Sequence, residues 1–194
     1  MLGVVLSGGQ STRMGKDKGL LLYRKRLWAE IAEEKLLSLN IPVRISVNPA
    51  QPMAYLNHFS PAKLIVDNPS LTIKGPLSGL LSVHLSAPED DLFLLACDMI
   101  LMEKRLLFNL QNALEGNDSA EAVIYTRDEQ QEPLCGIYTA SGLRKITSLL
   151  QLQRISKSSM KFILSHLKVL EIPLEKQDYH MFSNFNSSED TKLL

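Results

Sequence analysis

Apolar runs of strand length recur along this chain with amphipathic stretches between them, and that alternation constrains the fold more than any other feature. The runs are Leu2 to Leu6, Val43 to Val47, Lys63 to Val66, Asp91 to Cys97 and Ala122 to Thr126. Their apolar character and strand length predict strands buried on both faces. Between them, Leu27, Ile31, Lys35, Leu36 and Leu39 fall on one side of a helix, and Leu77, Leu80, Leu81, Val83 and Leu85 do much the same in a second. Strand alternating with helix predicts an α/β fold: a three-layer, Rossmann-like arrangement with a mostly parallel central sheet and right-handed crossovers. Farther on, the stretch from Gly142 to Leu167 reads as two amphipathic helices around Arg154 to Ser158, followed by a short strand, Val169 to Ile172. With 194 residues, 45% of them hydrophobic, the chain is long enough for one sizeable core, so a single domain over 1–194 is expected.

Charge narrows the partners. Lys plus Arg and Asp plus Glu both number 21, so no global field draws the chain to nucleic acid or an anionic membrane. The longest apolar stretch, Leu92 to Met102, is interrupted by Asp98 and falls short of the roughly 20 residues that a membrane span needs. Leu2 to Leu6 has no basic residues before it, and Gly8-Gly9 cuts the run short of a signal-peptide core. Cys97 and Cys135 are few, distant and set among apolar residues, which fits reduced thiols rather than a disulfide framework or a zinc cluster. A cytoplasmic location and small-molecule substrates are expected.

In parallel α/β sheets, ligands sit at the carboxyl ends of strands, so the residues just after each run carry the functional information. The first run leads into Ser7-Gly8-Gly9-Gln10-Ser11-Thr12-Arg13-Met14-Gly15-Lys16-Asp17-Lys18. Glycines let backbone N–H groups approach phosphate oxygens, and Arg13, Lys16 and Lys18 supply charge to match a triphosphate. The spacing is neither that of a Walker A loop nor that of a dinucleotide-binding loop. Asp98 closes the Asp91 to Cys97 run and reads as a Mg²⁺ ligand, because Mg²⁺ is commonly held by one or two carboxylates plus substrate phosphates; a helix N-cap is the other role open to it. Asn48 and Asp67 close two further runs and suit contacts to base or ribose, although each also lies in a good turn sequence. Gly75-Pro76 has the chemistry of a helix start at which the backbone closely approaches a ligand. The four histidines show no metal-ligand spacing.

Taken in order, Leu6-Ser7-Gly8-Gly9, Arg13-Met14-Gly15, Asp17-Lys18, Gly75-Pro76-Leu77, Cys97-Asp98, Glu132-Pro133-Leu134 and Asn184-Phe185-Asn186 resemble the molybdenum cofactor guanylyltransferases over essentially the whole chain. The resemblance implies a nucleotidyltransferase that uses GTP and Mg²⁺, with molybdopterin, with or without bound molybdenum, as acceptor. It implies a GTP site lined by Leu6, Ser7, Gly8, Gly9, Lys18, Asn48, Asp67 and Asp98, with Asp98 also on Mg²⁺, and Asn184 and Asn186 near the pterin. Lys18 and Arg13 then stabilise the pyrophosphate leaving group beside Asp98. The nucleotide falls to positions up to about 100 and the acceptor to those beyond. Molybdenum cofactor synthesis proteins and recipient apo-molybdoenzymes are the protein partners it suggests.

Gly8-Gly9 favours guanine, because the related cytidylyltransferases usually carry alanine-alanine-glycine there. Met99-Ile100 lacks the proline that often follows the cysteine-aspartate pair, and Ser187-Ser188-Glu189-Asp190 replaces the usual threonine-proline-glutamate-aspartate. The alternatives are cytidylyl transfer, nucleotidyl transfer to a sugar phosphate, or a non-catalytic delivery module for which Arg144 to Lys161 is the docking face.

Overall fold

The computed structural model describes residues 1–8, 17–183 and 185. In chain order its elements are β1 (Leu2–Leu6), a short hairpin of β2 (Leu22–Tyr23) and β3 (Arg26–Leu27), α1 (Trp28–Leu37), β4 (Val43–Val47), α2 (Pro52–Tyr55), β5 (Leu64–Val66) and α3 (Pro76–Ser86). There follow β6 (Leu92–Ala96), α4 (Lys104–Glu115), β7 (Ala122–Arg127), β8 (Gln130–Tyr138), α5 (Ala140–Gln151), α6 (Met160–Leu164) and β9 (Val169–Pro173). Among the described residues the main sheet has seven strands in the order β5-β4-β1-β6-β8-β7-β9. Pairings among β5, β4, β1 and β6 are parallel, β8 runs antiparallel to both neighbours, and β7 pairs in parallel with β9.

Successive residues of a strand point to opposite faces, and both faces of β1 and β6 are covered, which explains why these two central runs are apolar throughout. In β6, Leu92 and Leu94 face the layer that contains α3, α5 and α6, whereas Phe93 and Leu95 face the layer that contains α1 and α4. Val4 and Val5 divide between the same two layers in β1. The result is the three-layer α/β sandwich with a mostly parallel sheet that the alternating pattern predicts.

Three features depart from the sequence reading. The Lys63 to Val66 run is not buried on both faces, because β5 is an edge strand and Val66 is 42% exposed. β8 is not among the apolar runs: its first half, Gln130-Gln131-Glu132-Pro133, is polar, and its hairpin turn uses Asp128 and Glu129 at φ 48° and 62° instead of the glycine that usually marks such a turn. α4 also goes unnamed by the runs, although Leu106, Leu107 and Leu110 form its buried stripe. The two helices expected around Arg154 to Ser158 are α5 and α6, and the strand expected at Val169 to Ile172 is β9.

Two contacts secure the start of α1. Glu30, at the third position of α1, accepts from Leu27 N at 2.9 Å and caps the helix start. Phe185 packs with Trp28 and with Ile100, two residues beyond Asp98.

Candidate functional site

The chain winds outward from β1 in two directions. It passes first through β4 and β5 on one side, then crosses to β6 on the other, so the order reverses between β1 and β6. Such a switch point leaves a crevice beyond the strand ends. Hydrogen bonding continues past the strands into that crevice: Ser7 N donates to Ser46 O at 2.9 Å, Cys97 N to Leu6 O at 3.1 Å and Asp67 N to Val47 O at 2.9 Å. Ser7, Cys97 and Asp67 are therefore held by the sheet itself.

A cleft of about 200 Å³ opens there, and Leu6, Ser7, Gly8, Lys18, Asp67 and Asp98 all line it. Asn48 does not line it but stands against its wall, its Nδ2 donating to Gly8 O at 3.3 Å and its Oδ1 accepting from Ala50 N at 2.9 Å. Gly9, Arg13, Asn184 and Asn186 lie outside the described residues. Ser46, Gly75, Pro76, Gly79 and Leu134 also line the cleft. Of these, Ser46 gives the weakest sequence signal, since it sits inside an apolar run.

The Lys18 ammonium donates to Asp98 Oδ2 at 2.9 Å. The other carboxylate oxygen, Oδ1, is buried with no hydrogen-bond partner among the described residues. A buried, anionic oxygen left in this way is costly unless something else satisfies it. Asp98 is not a helix N-cap: it lies in the turn after β6, and α4 begins only at Lys104 with Glu103 as its cap. That turn is braced by Lys35 of α1, whose Nζ donates to Met99 O at 3.2 Å and to Ile100 O. Burial lowers the Lys35 ammonium to about 8, opposed by the nearby Cys135 and Glu34.

Asp67 faces the opposite wall. Burial pushes its carboxyl above the ordinary range, against hydrogen bonds from Ser46 and Ser78, and Ser46 Oγ lies 3.3 Å from Asp67 Oδ1. A Cβ on Gly8 would meet Asn48 N at 3.3 Å and Asp67 Oδ2 at 3.7 Å, so the strand-to-loop exit passes close under both residues. Gly75 caps α3 at φ 77°, a backbone state that favours glycine, and Pro76 fills the first helical position. On the same helix, a Cβ at Gly79 would collide with Ser46 Oγ and approach Leu6 Cδ2 to 2.9 Å. Close helix-to-strand contact at Gly79 thus shapes the floor of the cleft.

The Mg²⁺ that the sequence suggests can be tested against these residues. Among the described residues no group of three or more His, Cys, Asp or Glu side chains could hold a metal ion. One carboxylate whose buried oxygen has no partner among the described residues does suit Mg²⁺, which keeps several waters and takes its remaining ligands from substrate phosphates. Cys97 is beside this carboxylate, and burial, with the Asp98 charge second, pushes its thiol up to about 12. It remains protonated and is a poor nucleophile at neutral pH.

The MobA-like NTP transferase domain matches residues 3–169. The chain is 29% identical over 192 residues to a "Probable molybdenum cofactor guanylyltransferase" of Geobacillus sp. strain WCH70, covering 98% of this chain and 95% of that one. It is likewise 29% identical over 197 residues to a protein of the same name from Halalkalibacterium halodurans, with 97% and 94% covered. Among solved structures, molybdopterin-guanine dinucleotide biosynthesis protein A from Archaeoglobus fulgidus shares the fold at a TM-score of 0.76 and 23% identity, covering 100% of this chain and 96% of that chain. The cleft therefore lies at the strand ends of a nucleotidyltransferase fold, and the chain belongs to the MobA-like NTP transferase family.

Proposed function

We propose that the chain transfers GMP from GTP to the terminal phosphate of molybdopterin, releasing pyrophosphate and forming a molybdopterin guanine dinucleotide. The observation that carries the reading is the Lys18–Asp98 pair at the switch-point cleft, with one Asp98 oxygen buried and without a partner among the described residues. The names of the relatives supply the guanylyl group and the molybdenum cofactor, and that of the structural neighbour the molybdopterin. The whole chain serves as one unit in this reading: positions up to about 100 hold the nucleotide, and those beyond, which join the same sheet through β8, hold the acceptor.

A phosphate monoester is already an anionic nucleophile near neutral pH, so the protein's task is to position two anionic substrates and offset their charge. The triphosphate lies over Ser7 and Gly8, where a Cβ on Gly8 would come within 3.3 Å of Asn48 N, so the glycine keeps the backbone open to phosphate oxygens. Lys18 shifts from Asp98 toward the phosphates as they arrive and, with Arg13, stabilises the pyrophosphate leaving group. Asp98 is the residue that would hold Mg²⁺, and the chemistry a bound Mg²⁺ supplies is charge neutralisation and polarisation of the α-phosphorus. The acceptor oxygen then displaces pyrophosphate in line, with no covalent enzyme intermediate, which is compatible with a protonated Cys97. Asn48 and Asp67 stand on the base and ribose side, and Asn184 and Asn186 serve the pterin.

Equilibrium binding of GTP, CTP, ATP and UTP, with and without Mg²⁺, tests the reading. Tightest binding of GTP, strengthened by Mg²⁺, is expected. Preference for CTP would transfer the proposal to cytidylyl chemistry, and binding of none of the four would end it.

A further inference from the structure

One buried polar side chain beside the cleft takes no part in the roles above. Gln51, just before α2, is 8% exposed, and its carboxamide is fully engaged. Its Oε1 accepts from Asn48 N at 2.7 Å. Its Nε2 donates to Ser7 O at 3.0 Å and to Asp17 Oδ2 at 2.6 Å. The amide orientation follows from these partners, since a backbone N–H can only donate and a carbonyl and a carboxylate oxygen accept. The Asp17 carboxylate is held on its other oxygen too, where Oδ1 accepts from Gly19 N at 3.0 Å and from the Tyr55 hydroxyl at 2.9 Å. Burial pushes the Tyr55 phenol far above its ordinary range, so it stays protonated and keeps donating.

The partners of Gln51 belong to three separate stretches of chain. Ser7 precedes Gly8 at the entry to the glycine-rich stretch 9–16, Asp17 precedes Lys18 at its exit, and Asn48 ends β4. Each stretch carries a residue assigned above to the nucleotide. A Cβ on Gly19 would collide with the Tyr55 hydroxyl and come within 2.9 Å of Ser7 Oγ, so the exit of the stretch packs directly on its entry.

We propose that Gln51, seconded by Tyr55 through Asp17, is the positioning residue of the nucleotide site, joining both ends of the glycine-rich stretch to the end of β4. This rests on the GTP reading for the identity of the ligand. Gln51 does not touch the nucleotide. It fixes where Gly8 and Lys18 stand relative to Asp67 and Asp98, and the charge-assisted bond to Asp17 makes that joint stronger than a neutral one.

The test compares wild type with Gln51→Leu, Gln51→Glu and Tyr55→Phe, reading the dissociation constant for GTP well below each variant's unfolding midpoint, together with that midpoint. Gln51→Leu is expected to weaken GTP about tenfold, the effect of one to two net hydrogen bonds. Gln51→Glu is expected to weaken it more, because a carboxylate then faces both Asp17 and the Ser7 carbonyl. Tyr55→Phe removes a single bond to Asp17, keeps the buried ring and shifts affinity in the same direction by less, so it decides the matter even if the Gln51 variants fail to fold. Variants that bind GTP like wild type while their midpoints fall would overturn the inference and leave Gln51 a packing residue. A wild-type protein that binds no nucleotide would instead overturn the guanylyl reading and this inference with it.

Discussion

At the residue scale, the site depends on what each carboxylate and ammonium finds to pair with. Asp98 has one oxygen on Lys18 and one buried without a partner among the described residues, an arrangement that costs stability and that the proposed function reads as a ligand position. Replacing Asp98 by Ala should therefore reduce turnover by roughly 100-fold to 1,000-fold, in line with loss of a group that acts on transition-state charge. Stability should change by no more than about 1 kcal/mol, because the Lys18 side chain is 25% exposed and can be rehydrated. Turnover with molybdopterin and thermal unfolding, measured on the same preparation, check both halves of this statement. Asp98 and Asp67 were legible as polar residues closing apolar runs, and Lys18 as a cation of the glycine-rich stretch after the first run. Gln51 was not, because Asn48-Pro49-Ala50-Gln51-Pro52 looks like an ordinary turn, and only the fold brings its carboxamide to Ser7 and Asp17.

At the element scale, the strands aim the site and the helices brace it. The parallel strands could be read from their predominantly apolar runs, whereas β8 could not, because its polar first half and glycine-free turn carry neither a strand period nor a hairpin signature. Missing β8 also hides why Leu134 lines the cleft: the pairing of Leu95 with Cys135 brings it level with the end of β6. Bracing is clearest at Lys35, where one side chain ties α1 to the turn that presents Asp98. Its ammonium titrates at about 8 in the folded protein against 10.5 when exposed. Between those values the unfolded chain keeps a proton that the folded chain has released, so folding stability gains as pH rises through that window, while below it this group adds no pH dependence. Relative to Lys35→Met, wild type should gain roughly 1 to 3 kcal/mol between pH 8 and pH 10.5, as read by denaturant unfolding at each pH. A difference that stays flat across the window would show that the buried ammonium is not depressed.

At the scale of the whole molecule, a single sheet carries both halves of the proposed reaction. The four parallel strands present the edge proposed for the nucleotide, and the antiparallel β8 joins them to β7 and β9, with α5 and α6 covering the same face as α3. Phe185, between the two asparagines proposed for the pterin, packs with Ile100 and so links the C-terminal stretch to the turn that follows Asp98. The net charge of zero leaves attraction of anionic substrates to local cations such as Lys18, and no helix among the described residues is long and apolar enough to cross a membrane. The most direct test is turnover itself: the protein incubated with GTP, Mg²⁺ and molybdopterin, with pyrophosphate and pterin products quantified together. Pyrophosphate released in step with molybdopterin guanine dinucleotide is the predicted result; no dinucleotide, or a cytosine dinucleotide formed in preference when CTP is also present, would contradict the account.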